Sequence, residues 1–163
     1  MSLRLNRSSV RSFPLLVVVA ALVLGAFVAA PAGAAKGGPP KLKDPSATGR
    51  ELSTRFLTIL QRGDKAALAK FLDPAFQLQR ADGTGVNKAE YVAKPALVGK
   101  FVLGDKVIAA QNGDILSVRW ALKSDITVGG QPYSNVETPR ISTYHWYKNG
   151  WRLAAHANFN RPA

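Results

Sequence analysis

Apolar and polar positions recur with two different periods along this chain, and the change of period divides it. Between Ser46 and Arg62 the apolar residues Leu52, Phe56, Ile59 and Leu60 fall at helical spacing, which predicts an amphipathic helix. Ser46 or Thr48 stands where an N-cap is needed, and Thr48 with Glu51 has capping-box spacing. Gly63 stops that helix, and Asp64 caps a second, shorter one through Ala67, Leu68 and Phe71, which Asp73-Pro74 ends. Phe76-Gln77-Leu78-Gln79 alternates as a short strand does. After the turn-rich Ala81–Gly85, Asn87 can cap a third short helix carrying Tyr91 and Val92 and closed by Pro95. From Phe101 to Phe159 the runs are rich in Val, Ile, Trp and Tyr, and Asn112-Gly113, Gly129-Gly130 and Asn149-Gly150 punctuate them. Such dipeptides accept positive φ at little cost and suit two-residue hairpin turns. The predicted order is helix, helix, short strand, short helix, then strands joined by hairpins.

Counting outward from the three turns assigns side chains to faces. If Gln111 faces Asp114, Val128 faces Gln131 and Lys148 faces Trp151, one face collects Leu103, Asp105, Val107 and Ala109 with Leu116, Val118, Trp120 and Leu122. The same face receives Ile141, Thr143, His145 and Tyr147, then Arg152, Ala154, His156 and Asn158. It is mostly apolar with polar groups toward the later strands, the composition of a concave wall that packs on helices and lines a pocket. The other face collects Arg119, Lys123, Arg140 and Ser142, together with an apolar cluster of Tyr144, Trp146, Trp151 and Leu153. Pro132 and Pro139 interrupt the run after Gly129-Gly130, so a bulge there would reverse the parity of everything that follows.

The N-terminal segment reads differently from the rest. Arg4, Arg7 and Arg11 precede an apolar stretch from Phe13 to Ala30 broken only by Pro14 and Gly25, and small residues follow to Ala35. Residues 1–35 are therefore expected to be a Sec-type signal peptide cleaved near Ala32–Ala35, which makes the protein secreted or part of the cell envelope. The alternative is an N-terminal membrane anchor, since ~18 apolar residues can just span a bilayer. Residues 36–45, rich in Pro, Gly and Lys, read as a linker, and residues 46–163 as a single domain. The chain has no cysteine, which excludes disulfides, thiol chemistry and a lipoprotein anchor. The formal net charge of +12 is spread over scattered lysines rather than gathered into a stripe, so no nucleic-acid partner is expected.

The segment Leu57–Asp64 (LTILQRGD), leading into Leu68–Phe76 (LAKFLDPAF), and the ending Trp146–Phe159 (WYKNGWRLAAHANF) carry a resemblance. With them the chain resembles the nuclear-transport-factor-2-like superfamily from about Ala47 to Phe159. That superfamily includes ketosteroid isomerase, SnoaL-like cyclases and the association domain of a calmodulin-dependent kinase. The resemblance implies an α+β fold: a curved antiparallel sheet wrapped around an N-terminal helical hairpin and a short third helix, cone-shaped with an internal pocket. It implies little about activity, because members range from isomerases to assembly domains. It also implies a homodimer through the sheet, for which the cluster of Tyr144, Trp146 and Trp151 is the expected surface.

The candidate chemistry is sparse. His145 and His156 would be diagonal neighbours about 7 Å apart at Cα, able to move protons or hold an anion. Asp105 is the candidate carboxylate base, as ketosteroid isomerase uses a buried aspartate, although Gly104-Asp105 also reads as an ordinary turn. Tyr91, Trp120, Thr143, His145, His156 and Asn158 are the expected ligand contacts. Neither a metal site nor a cofactor is expected, because two histidines lack a third ligand. The leading expectation is an exported domain that binds a small apolar or anionic molecule without transforming it. The alternatives are a SnoaL- or ketosteroid-isomerase-like enzyme performing proton transfer, isomerisation or dehydration, and a homo-oligomeric assembly domain.

Overall fold

A computed structural model describes residues 38–128, 131–133, 136–148 and 150–159, with only the backbone given for Val128 and 131–133. These residues belong to one compact unit, Ala35–Ala163. The expected signal peptide, Gly129-Gly130, Asn149 and Pro162 lie outside the described residues.

Three helices form where the apolar spacing predicts them. Helix α1 spans Pro45–Gln61 and α2 spans Lys65–Phe71. The cap of α1 is Asp44, not Ser46 or Thr48: its side chain accepts from the Ala47 N–H at 2.9 Å, and Pro45 takes the first helical position. A proline there loses no hydrogen bond, so Asp44-Pro45 is the stronger start signal. Asp64 caps α2 as expected. Helix α3, Lys88–Ala93, begins with a full capping box in which Asn87 and Glu90 each hold the other's backbone N–H.

Eight strands are present among the described residues: β1 Leu72–Gln79, β2 Gly85–Asn87, β3 Leu97–Leu103, β4 Ile108–Asn112, β5 Ile115–Val128, β6 Gln131–Tyr133, β7 Thr138–Tyr147 and β8 Gly150–Asn158. They form one curved sheet in the order β2-β1-β8-β7-β5-β3, with β4 and β6 also on β5. The sheet is antiparallel except where β1 runs parallel to β8. Asp73-Pro74 opens β1 rather than merely ending α2, and the loops and β2–β7 between β1 and β8 allow the parallel return. The fold is the expected α+β arrangement of helices against a curved sheet.

Helix α1 lies across β3, β4 and β5, and the core fills the space between. Phe56, Leu57 and Leu60 of α1 meet Leu116, Val118 and Leu122 of β5, all 4 % exposed or less. Gly49 makes that approach close, because a Cβ there would stand 2.9 Å from a Val118 methyl. The described part of the expected linker is also held: Gln111 of β4 accepts from the Leu42 N–H and donates to the Pro40 carbonyl, both at 2.9 Å.

Register decides the faces. The β4–β5 hairpin closes on Asn112 and Ile115, and the β7–β8 hairpin on Tyr147 and Gly150. Each differs from the expected pair by one residue on both strands, which leaves the faces unchanged. The turn between β7 and β8 places Lys148 at φ 46° where a glycine was expected to take the positive φ. The Val128–Gln131 pair is as expected, but β7 meets β5 displaced by one residue, with Leu116 opposite Tyr144 and Trp120 opposite Arg140. From the Ile126–Tyr133 pair to the Leu122–Thr138 pair β5 advances four residues and the facing chain five, so the parity of β7 is reversed. A bulge follows in β8: Thr143 faces Ala155 and Tyr144 faces Leu153, leaving Ala154 unpaired. The bulge restores His156 and Asn158 to the helix-facing side while Leu153 also points inward.

The consequence is an exchange of residues between faces. Arg140, Ser142, Tyr144 and Leu153 are buried on the inner face, the last two at 0 % exposure. Ile141, Thr143, His145 and Tyr147 are on the outer face. The cluster expected to form a dimer surface is therefore largely spent inside: Tyr144 packs on Phe71, and Trp151 packs against the core with Trp146 edge-on to it.

Candidate functional site

A cavity opens between α1, α3 and the concave face of the sheet, with Arg80 and Asn158 among its walls. Its apolar lining comes from Phe56, Leu57 and Leu60 of α1 and from Val98, Leu122 and Ile126 of the sheet. It is tight, with a volume of about 30 Å³. Rows of side chains crossing the strands explain its polarity. Leu116, Tyr144 and Leu153 form an apolar row. The next row is Val118, Ser142, His156 and Leu78. The row beyond it is Trp120, Arg140 and Asn158, extended by Arg80 one residue past the Gln79–Ala157 pair. Polarity thus rises across the concave face toward one end of the cavity.

His156 is 6 % exposed and sits in a hydrogen-bonded cluster. Trp120 Nε1 donates to Ser142 Oγ at 3.0 Å, and the same oxygen lies 3.0 Å from His156 Nδ1 in a second hydrogen bond. The imidazole stands edge-on to Phe56 at 5.3 Å between centroids and tilted against Trp120 at 5.8 Å. Burial, and then the charge of Arg140, push its pKa down to about 3. At neutral pH this ring is neutral. Arg140 is 3 % exposed, and burial lowers its pKa to about 10, which still leaves it charged. Its Nη1 donates to the Thr138 hydroxyl and the Pro139 carbonyl, both at 2.8 Å, which fixes the guanidinium against its own strand. Tyr91 is fully enclosed, and burial raises its phenol well above the usual range. Among the described residues lining the cavity there is no carboxylate.

Four of the expected contacts come together here: Tyr91, Trp120, His156 and Asn158. Thr143 and His145 do not, because the reversed parity of β7 turns them outward. His145 instead bridges two carboxylates on the outer face, with Nδ1 3.0 Å from Asp73 Oδ2 and Nε2 3.5 Å from Asp114 Oδ2. Asp105 is exposed in the loop between β3 and β4, and its backbone carbonyl accepts from Arg50 Nη2. It is the turn residue of the alternative reading, and it lies outside the cavity lining. The sequence reading missed Arg80 and Arg140. Continuing the alternation of β1 by one residue places Arg80 beside Leu78, and the reversed parity that Pro139 allows places Arg140 beside Trp120. Among the described residues no cluster of three metal-ligating side chains occurs.

The fold has counterparts among solved structures. An NTF2-like protein from Cytophaga hutchinsonii superposes with a TM-score of 0.63 at 14 % identity, over 71 % of this chain and 97 % of that one. A putative calcium/calmodulin-dependent kinase II association domain from Exiguobacterium sibiricum gives 0.60 at 17 % identity, over 78 % and 99 %. An NTF2-like protein of unknown function in nutrient uptake from Rhodospirillum rubrum gives 0.59 at 16 % identity, over 72 % and 99 %. No family profile and no curated protein matches the sequence. The fold is that of the nuclear-transport-factor-2-like superfamily, the one the sequence resembles, and likeness at this identity speaks for fold alone.

Proposed function

We propose that this domain binds a small, mainly apolar molecule in its cavity and performs no chemistry on it. The observation that carries this reading is the pairing of an apolar, enclosed wall with a few convergent polar groups that lack an acid–base set. A proton-transfer enzyme needs a group that changes charge near working pH. His156 stays neutral, Asp105 and His145 lie elsewhere, and Arg140 stays charged. A volume of about 30 Å³ admits water, so a ligand must part the walls, and small ligands are favoured.

The test is a panel of small aromatic and aliphatic compounds followed through the Trp120 and Tyr91 resonances. Saturable shifts confined to the cavity residues support binding. Turnover of a ketosteroid-like or polyketide-like substrate, lost in His156→Ala, would overturn the non-catalytic reading. Export of the domain is proposed on the N-terminal sequence alone, and intact mass of the secreted product, starting near Ala35, tests it.

The outer face favours a second reading, self-assembly. Ile108, Ile115 and Ile141 are 51 %, 36 % and 41 % exposed there. Sedimentation showing a monomer at every concentration would remove it.

A further inference from the structure

The binding reading leaves the class of ligand open, and the polar row at one end of the cavity narrows it. Asn158 and Arg140 pair across β8 and β7, and Arg80 follows the last residue of β1, one position past the Gln79–Ala157 pair. Neighbouring strands lie roughly 4.8 Å apart, so the two arginine backbones are separated by about 10 Å with an amide between them. Two guanidiniums at that spacing can close from both sides on a group the size of a carboxylate. The described lining holds these two cations and no anion. Beyond Tyr91, Trp120 and His156 the rest of the wall, including Phe56, Leu60, Val98, Leu122 and Ile126, is hydrocarbon.

Resting on the binding reading above, we propose that the ligand is a small apolar monocarboxylate, its carboxylate seated over Asn158 between Arg80 and Arg140 and its hydrocarbon body against Phe56 and Leu122. The planar fork of a guanidinium matches a carboxylate in geometry as well as charge, which a lysine would not do. Arg140 is anchored through Nη1 to Thr138 and Pro139, and Arg80 Nη1 lies 3.3 Å from the Thr84 hydroxyl at the edge of the turn Ala81–Thr84. Arg140, anchored in this way, loses little freedom when an anion arrives, whereas Arg80 on the rim also feels the Asp82 carboxylate of that turn. Burial is the larger cause of the low pKa of His156, and the positive field of Arg140 that adds to it is a field that would also hold an anion. A doubly charged, strongly hydrated oxyanion such as phosphate fits less well, since most of the wall offers it no hydrogen bond.

The experiment compares matched acids and amides on the full chain by calorimetric titration: benzoate against benzamide, and hexanoate against hexanamide, with inorganic phosphate as a third probe. The expected result is that each acid binds at least about tenfold tighter than its amide. Arg80→Gln, on the half-exposed rim, then removes most of that ratio while leaving the amide unchanged. Arg140→Gln does the same, and Arg80→Gln keeps the test standing if the buried substitution prevents folding. Amides that bind as tightly as acids, or an acid-to-amide ratio untouched by Arg80→Gln, would sink the carboxylate assignment and leave the binding reading intact. Phosphate binding as tightly as benzoate would sink the apolar part of the assignment. If neither acids nor amides bind and the Trp120 resonance stays still, both readings fall together.

Discussion

The two histidines of this protein sit on opposite faces of one sheet, and they have opposite surroundings. His156 is enclosed by Phe56, Trp120 and Ser142, with the cation Arg140 on its own face. His145, a third exposed, is set between the carboxylates of Asp73 and Asp114. The first environment penalises a charged imidazole twice, through burial and through a like charge; the second places a carboxylate oxygen beside each ring nitrogen. A residue type that can switch charge near neutrality is thus held neutral where the cavity is and is offered counter-charges where the cavity is not. The arrangement reads His156 as a wall and hydrogen-bonding element, and His145 as a tie between the start of β1 and the β4–β5 turn.

Acid should separate the two sites most sharply. The folded pKa of His156, about 3, is far below the ordinary 6.5, so the unfolded chain binds a proton below pH 6.5 that the folded chain refuses until about pH 3. The stability contributed by keeping this ring neutral is therefore whole above pH 6.5 and is lost as pH falls toward 3. Between pH 7 and pH 4.5 the loss from this single group is ~3 kcal/mol. Urea unfolding of the wild type and of His156→Gln at both pH values measures it as the difference between their pH responses. Equal responses would mean that His156 takes up its proton as an exposed histidine does.

Ser142→Ala breaks the inner site without touching its charge. It strips the partner from the buried Trp120 indole N–H and from His156 Nδ1 together, at a cost of about 2 kcal/mol. The unfolding midpoint reads the cost, and a moved Trp120 indole resonance locates it. Asp73→Ala is the matching cut on the other face. It removes the acceptor of the Ala75 N–H and of His145 Nδ1, and about 1.5 kcal/mol is expected. The His145 ring signals should move and those of His156 should not. Movement of both would show that the faces are coupled through β7.

How far the sequence discloses this contrast depends on the kind of signal. Local signals hold: Asp64, Asn87 and the apolar spacing of α1 each act within a few residues, and each helix forms as expected. The face of Trp120, His156 and Asn158 also comes through, because the bulge at Ala154 in β8 cancels the reversed parity of β7. What fails is the parity of β7. It rests on a single added residue between Tyr133 and Thr138, and that one step carries His145 and Thr143 outward and Arg140 and Tyr144 inward. A periodic pattern records alternation but not its phase across an irregular connection. The parallel pairing of β1 with β8 is a long-range choice that no local spacing encodes. The tightness of the cavity is set by how Phe56, Tyr91 and Trp120 interlock, which only packing reveals.

The smallest effect belongs to the outermost group. Asp114 is 58 % exposed at its side chain, and its Oδ2 stands 3.5 Å from His145 Nε2, longer than the bond Asp73 makes on the other side of the ring. Water competes for both partners, and screening leaves such a contact little net energy. Asp114→Asn should therefore change stability by less than about 0.5 kcal/mol at neutral pH, and that difference should shrink further in 0.5 M salt. The backbone of Asp114 still accepts from the Trp146 N–H at 2.8 Å, so the turn keeps its shape in the variant. Matched unfolding curves at low and high salt decide the point. A loss as large as that of Asp73→Ala would show that His145 is held from both sides equally, and the tie would then extend from β1 through β7 to the β4–β5 hairpin.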